Sequence, residues 1–422
     1  MKENLWNRLG PGILLAATSI GASHLVLSPQ AGARFGYQLL WLVLACHLFK
    51  YPAFEFGPRY AAACGENLLA GYARVPGPRG WALYLFLFGT ILQGVGVLAG
   101  VVNISGCVLH TWSGWLQTEW FSLLVICAVV TLLVTGGFGW LDNLNKVMIS
   151  ILALATLLAF IPIVPSPAAF KNMVIPSLPE GSLVLVAAIL GWMPTGIDVS
   201  IWHSFWTVEK LKRLGERHEE GNLTACRRQL RISLTDMRVG YVLSLMTGIM
   251  FITMGAVHLQ GRGAELQGLQ FARELSLAYT KIMGRWMFHV FMLTALFAMF
   301  STSYTVIDGF SRSFSEGLAA LKNSLAGERP RKLTYRGFVA FSAGLAVVTI
   351  FWVGNPVTLV TAVALISLAV APVLYGLNLY CVSRHITEPS LKPHKVTVVI
   401  GWMGTAFMLL ALGVTAYVKL MM

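Results

Sequence analysis

Eleven stretches of about twenty mostly apolar residues follow one another along the 422-residue chain. They fall at approximately 11–33, 38–62, 81–109, 119–136, 145–165, 181–206, 238–259, 286–314, 335–352, 355–380 and 396–419. A bilayer core about 30 Å thick needs roughly that length from each helix. Hydrocarbon offers no water to the backbone, so each stretch must satisfy its own N–H and C=O groups, and helices do this. The expected fold is an all-α polytopic membrane protein with one transmembrane domain over 1–422 and little chain left for anything else. Composition agrees: 12% of residues are charged and 56% hydrophobic, against about 25% charged in soluble domains. That argues against a cytosolic enzyme or a nucleic-acid module. The apolar run Ile13–Ala17 is too short for a secretory signal and no cleavage site follows His24, so the start reads as the first span. Cys46, Cys64, Cys107, Cys127, Cys226 and Cys381 are scattered, which indicates neither a disulfide framework nor a zinc site.

The net charge of +13 is concentrated between spans. Lys210, Lys212, Arg213, Arg217, Arg227, Arg228, Arg231 and Arg238 follow the sixth. Lys322, Arg329, Arg331, Lys332 and Arg336 follow the eighth, and Arg384, Lys392 and Lys395 the tenth. Basic residues mark cytoplasmic loops, so the N-terminus is expected inside and the C-terminus outside. In the first of these segments Glu209, Glu216, Glu219 and Glu220 alternate with the basic residues and no stacking aromatics intervene. A solvated loop facing anionic headgroups is expected there, and no nucleic acid. Thr235 or Asp236 is the expected N-cap of the seventh span. Between spans seven and eight, Leu266, Leu269, Leu275, Tyr279 and Ile282 recur at helical spacing, which predicts an amphipathic helix on the outer surface.

Two spans are interrupted. In the first, Gly10-Pro11-Gly12 opens the helix and Thr18-Ser19-Ile20-Gly21-Ala22-Ser23-His24 lies at mid-depth. In the sixth, Gly191-Trp192-Met193-Pro194-Thr195-Gly196-Ile197-Asp198 does the same. Pro194 removes a backbone donor, and unwinding in lipid is costly unless the freed groups find a ligand. One such break in each half of the chain points to a secondary transporter made of inverted repeats. The repeats would be five spans each, about 10–165 and 181–380, with an extra helix at 396–419. A pair of ordinary kinked helices is the structural alternative.

Gly10-Pro11-Gly12, then Gln30-Ala31-Gly32-Ala33 and Phe35-Gly36-Tyr37-Gln38-Leu39-Leu40-Trp41, resemble the first-helix region of Nramp-type divalent-metal transporters. The eleven-span plan, the break in span six, His203-Ser204 after it and the external helix before span eight are similar too. The resemblance implies the leucine-transporter-type fold with broken helices 1 and 6, and alternating access. The family's Asp-Pro-Gly-Asn metal motif falls here on Gly21-Ala22-Ser23-His24, and its Met-Pro-His on Gly196-Ile197-Asp198. An aspartate and a soft thioether are thus replaced, and Met193 stands three residues before the thioether position. Span three carries acidic residues in the family, whereas Gly80–Thr118 here holds no Asp, Glu, Lys or Arg.

Charges at bilayer depth cost roughly 2.5–3.5 kcal/mol each on insertion scales, so each needs a reason. Asp198 follows the second break, as a cation ligand or proton carrier, a helix cap, or both. His24 follows the first, as a metal ligand with Asp198 or as a buried structural histidine. The expected substrate set is His24, Asp198, Thr18, Gly21, Ser23, Met193, Thr195 and Gly196. One carboxylate, one imidazole and backbone carbonyls suit a divalent metal, a hydrated hard cation or a protonated organic amine about equally. In span two, Glu55 and Arg59 are four apart and expected to pair, with Lys50 one turn before Glu55. Asp308 and Arg312 repeat the spacing in span eight. Both groups are expected as gating or structural ion pairs. His47, His203 and His289 are expected as polar residues satisfied within the fold, and the hydroxyls of Ser301, Thr302, Ser303 and Thr305 as bonding back to their own helix.

No nucleophile elbow, His-Glu-x-x-His or phosphate loop is present, so no enzyme is expected. Gly94, Gly96 and Gly100 fit close helix packing. The leading expectation is a secondary transporter of a small cation, in the first place a divalent metal ion as cargo, with no resident cofactor. A small organic cargo (amine or amino acid) on the same fold, or a sensor that binds without transporting, are the competing readings. The partners are the bilayer and the cargo, and nothing specifies an oligomeric state. Glu55 and Asp308 face arginines and make poor proton carriers, so transport without stoichiometric proton uptake is expected.

Overall fold

The computed structural model describes residues 11–135, 138–165, 169, 171–213, 222–261 and 269–421. Gly10, Glu216, Arg217, Glu219, Glu220, Arg262 and Leu266 lie outside them. Every regular element among the described residues is helical. Helix α1 (Pro11–Ser19) leads through a π-helical turn at Ser23–Leu27 into α2 (Ser28–Phe35), followed by α3 (Leu40–Cys64) and the short α4 (Leu68–Tyr72). Then come α5 (Trp81–Ser113), α6 (Thr118–Thr135), α7 (Phe138–Phe160), α8 (Leu183–Trp192) and α9 (Val199–Arg213). The remainder is α10 (Leu223–His258), α11 (Leu269–Met283), α12 (Met287–Leu321), α13 (Glu328–Val353), α14 (Pro356–Arg384) and α15 (Lys395–Met421). By length and composition, seven of these are long and apolar enough to cross a membrane. The broken α1–α2 and α8–α9 pairs, the Lys50-, Glu55- and Arg59-bearing α3, and α7 complete the helices that coincide with the eleven apolar stretches.

The largest departure concerns α10. It begins at Leu223, fifteen residues before the expected start, so much of the supposed basic loop is helix. Asn222 caps it, its side-chain oxygen accepting from the Ala225 N–H at 3.1 Å. Thr235 and Asp236 are therefore interior positions, not caps. The reason lies in the pattern: Cys226, Gln229, Leu230, Ser233, Leu234 and Met237 are buried at three- and four-residue spacing, so packing carries the helix past the acidic residue. Asp236 instead pairs with Lys210 of α9 at 3.0 Å. Helices α12 and α13 likewise run several residues beyond their expected inner ends.

α1 and α2 pack along α10 at backbone contact. A Cβ at Gly12 would lie 1.9 Å from the Asp236 carbonyl oxygen, and one at Gly240 2.0 Å from that of Gly12. Small residues permit such approach where helices meet in lipid. α8 packs on α14 and α9 on α3, while α12 and α5 form the most extensive helix pair in the core. α11 buries Ala272, Leu275, Ala278 and Tyr279 and exposes Arg273, Leu277 and Lys281, an amphipathic surface helix. Trp115 and Trp286 stand exposed at helix ends, and Trp352 is 87% exposed near the end of α13. Such tryptophans mark the level of lipid headgroups.

Candidate substrate site at the two helix breaks

α8 stops because Pro194 supplies no N–H and Met193 turns to an extended conformation (φ −98°, ψ 130°). The last turn closes with the Met193 N–H on the Ile189 carbonyl at 2.7 Å. Beyond it the Gly191 and Thr195 carbonyls both accept from Lys50 Nζ, at 3.2 and 3.4 Å. Lys50 is 1% exposed. It does not join the Glu55–Arg59 pair, as its position in span two had suggested. It reaches sideways from α3 to the break in span six. At the far side of the break Asp198 stands directly before α9, which starts at Val199, the position of an N-cap. Gly196 leaves room for it: a Cβ there would lie 2.2 Å from Asp198 Oδ1.

The first break is gentler. No proline falls inside it; Pro11 stands at the start of α1, where a missing N–H costs nothing, and Pro29 follows the π turn. The Leu25 N–H still reaches the Gly21 carbonyl at 2.9 Å. The span widens into a π turn and does not unwind fully as expected. That turn points His24 at α10. Its Nε2 lies 2.9 Å from the Ser244 carbonyl and its Nδ1 2.8 Å from Ser23 Oγ. A carbonyl only accepts, so Nε2 must carry hydrogen and donate. His47 reaches the same serine, its Nδ1 donating to the Val43 carbonyl at 2.8 Å and its Nε2 3.2 Å from Ser244 Oγ. Ser23 Oγ lies 3.3 Å from the Pro194 carbonyl, joining the two breaks.

Between the breaks is a cavity of about 40 Å³, room for a few water-sized groups. Of the expected substrate residues, Thr18, Ser23, Thr195, Gly196 and Asp198 line it. Asp198 is the one acidic lining residue among the described residues. His24, Gly21 and Met193 are not in its wall. Gly21 packs on Thr302, whose Oγ1 would lie 2.8 Å from an added Cβ, and the Met193 methyl group lies toward Gly248 of α10. No cluster of three or more metal-ligating His, Cys, Asp or Glu side chains forms among the described residues. Sequence reasoning overlooked Trp192, Trp202, Phe310 and Ser367, which also line the cavity, as do Val97 and Val101 of α5, because nothing in their spacing links helices α5, α8, α9, α12 and α14. It also overlooked Ser244, which ties His24 to His47.

The ion pairs lie toward one end of the bundle. Arg59 holds Glu55 at 2.6 Å and donates to the Leu391 and Lys392 carbonyls at 2.7 and 3.0 Å. Arg312 holds Asp308 at 2.7 Å and reaches Glu209 of α9 at 3.4 Å, while Tyr335 donates to Asp308 at 2.7 Å. The Thr302, Ser303 and Thr305 hydroxyls bond back to their own helix, and Thr302 also lies 3.3 Å from the Ala17 carbonyl. His289 accepts from Trp112 at 3.0 Å. His203 is buried edge-on against Trp206.

A profile of the Nramp family, described as natural resistance-associated macrophage protein-like, matches residues 12–417. The chain belongs to that family. Its relatives include an uncharacterised Pasteurella multocida protein, 30% identical over 389 residues, covering 89% of this chain and 85% of the relative. A divalent metal cation transporter of Chromohalobacter salexigens is 26% identical over 373 residues, covering 86% and 76%. The fold is shared with the Eremococcus coleocola manganese transporter, with a TM-score of 0.72 at 16% identity over 97% of this chain and 87% of that one. It is shared more loosely with Mhp1, a nucleobase-cation-symport-1 family transporter, with a TM-score of 0.58 over 97% and 93%. The chain is thus an integral, multi-pass membrane protein of a transporter family, and its chemistry is transport and not catalysis.

Proposed function

We propose that the chain is a secondary transporter that moves a small cation, in the first place a divalent metal ion, by alternating access. The observation that carries this reading is the placement of Asp198: a lone carboxylate in the wall of a small cavity between two broken spans. Family membership and metal-transporting relatives support the choice of cargo. In this reading Asp198 supplies the charge, and Thr18, Ser23, Thr195 and Gly196 supply hydroxyl or carbonyl oxygens around a partly hydrated ion. Lys50, with the Glu55–Arg59 and Asp308–Arg312 pairs, holds or gates the moving elements. Eleven spans, inverted repeats over about 10–165 and 181–380, an extra span at 396–419, and a cytoplasmic N-terminus with an external C-terminus complete the proposal. Basic residues clustered between alternate spans support that orientation.

The test is calorimetric titration of the purified protein with manganese, magnesium, calcium and small organic amines, repeated on Asp198→Asn. Metal binding that disappears in the variant is the expected result, and undiminished binding removes Asp198 from the ligand role and leaves it a helix cap. A small organic cation is the second reading, favoured by the aromatic rings of Trp192, Trp202 and Phe310 around the carboxylate. Amine binding without metal binding would select it.

A further inference from the structure

A helix that ends inside a membrane protein leaves carbonyls without partners, and in transporters with broken spans such half-helix ends commonly hold a cation. At the end of α8 those carbonyls are already occupied. Lys50 Nζ bridges Gly191 O and Thr195 O, one on each side of Met193-Pro194. We propose that the Lys50 ammonium is a tethered cation filling a coupling-ion site at this half-helix end, so that cargo binds without a free co-bound cation.

Three observations point this way. Lys50 is buried on a continuous helix, so its charge cannot reach water by rotation of the side chain alone. No carboxylate lies within ion-pair distance of it among the described residues, since Glu55 is held by Arg59. Its charge is answered by the two carbonyls and the negative end of the α8 dipole. The break thus carries a fixed cation at the end of its first half-helix and a fixed anion at the start of its second. A free ion at the same carbonyls would meet hard oxygen ligands of the kind that sodium and other hard cations accept. The lysine delivers a charge of the same sign that stays tethered to the chain.

The proposal rests on the transporter reading, but its test needs no cargo. The melting temperature of purified protein is measured in Na⁺, K⁺ or NH₄⁺, with a bulky organic cation keeping ionic strength constant. Wild type should be indifferent to the choice. Lys50→Met opens the carbonyls, so it should melt lower in the bulky cation and recover about 3–5 °C, saturably, in Na⁺ or NH₄⁺. Lys50→Gln keeps a hydrogen-bond donor without the charge and should respond in the same direction. The proposal is overturned if wild type is stabilised specifically by one of these ions, or if Lys50→Met cannot be recovered folded in any of them. It is also overturned if either variant folds and stays indifferent, since the lysine is then only a hydrogen-bonded staple. Loss of metal binding at Asp198 is read separately, so a failed cargo assignment leaves this result intact.

Discussion

At the first break the chain widens into a π turn and keeps its backbone paired, with Leu25 N–H on Gly21 O at 2.9 Å. At the sixth it leaves helical geometry from Met193 until α9 resumes at Val199; the freed carbonyls are met by the Lys50 ammonium, and the Asp198 carboxylate stands at the start of α9. The first break has no charged residue in its own segment and leans on neutral partners: Ser244 through His24, and Thr302 through the Ala17 carbonyl. The difference teaches where charge is needed. A break that stays helical satisfies itself with hydroxyls and an imidazole. A break that unwinds exposes two half-helix ends, and their dipoles select a cation at one end and an anion at the other.

The sharpest way to break this comparison is Asp198→Asn. It removes the charge that the cavity offers and should weaken cation binding at least about a hundredfold, while the amide still caps α9. Acid should weaken wild-type binding by the same route, because protonation removes the negative charge. The variant's residual binding should not respond to pH between neutral and mildly acidic. Titration calorimetry at two pH values checks both.

Steric substitutions should also separate the breaks. Gly191→Ala would place a Cβ 2.0 Å from the Ala364 carbonyl oxygen, against backbone that cannot rotate away. We expect a loss of about 2 kcal/mol, seen as a lowered melting temperature. Gly21→Ala meets the Thr302 side chain at 2.8 Å, with the Thr18 carbonyl oxygen at 3.3 Å, and should cost clearly less.

Ser244→Ala removes the hydroxyl beside His47 Nε2 and leaves the carbonyl that holds His24. A loss of about 1 kcal/mol of stability is expected, with cation affinity changed less than about threefold. A larger change in affinity would place the histidine chain inside the substrate site. The smallest effect concerns selectivity. With Met193 turned toward Gly248 and absent from the cavity wall, no thioether selects soft metals. Manganese should bind less than about tenfold more tightly than magnesium, and competition titration decides it.

Much of the fold was legible because lipid leaves so few choices: length, apolarity and the Gly/Pro interruptions placed the helices and both breaks. The boundaries that failed did so for local reasons. Asn222, an unremarked polar residue, capped α10 fifteen residues early, and the helix continued because its buried face continued. The i, i+4 pairs Glu55–Arg59 and Asp308–Arg312 were readable from spacing alone. Lys50 was not, because its partners lie 141 and 145 residues away. The same holds for Trp202 and Ser367 in the cavity wall. Of the residues expected to meet the substrate, Thr18 and Ser23 from the first break and Thr195, Gly196 and Asp198 from the sixth line the cavity. His24 was assigned by its neighbourhood in sequence, and a π turn, which rotates side chains relative to an α-helix, sent it elsewhere.

α10 contains 36 residues, so it is roughly 54 Å long, well beyond a hydrocarbon core of about 30 Å. Its first turns, with Arg227, Arg228 and Arg231, therefore stand outside the apolar layer, while its middle grips α1 through Gly240 and His24 through Ser244. Such a rod behaves as a lever. Each degree of tilt about its centre moves an end by about half an ångström. A force on its arginine-bearing end is thereby carried to the first break from a distance, without touching the cavity.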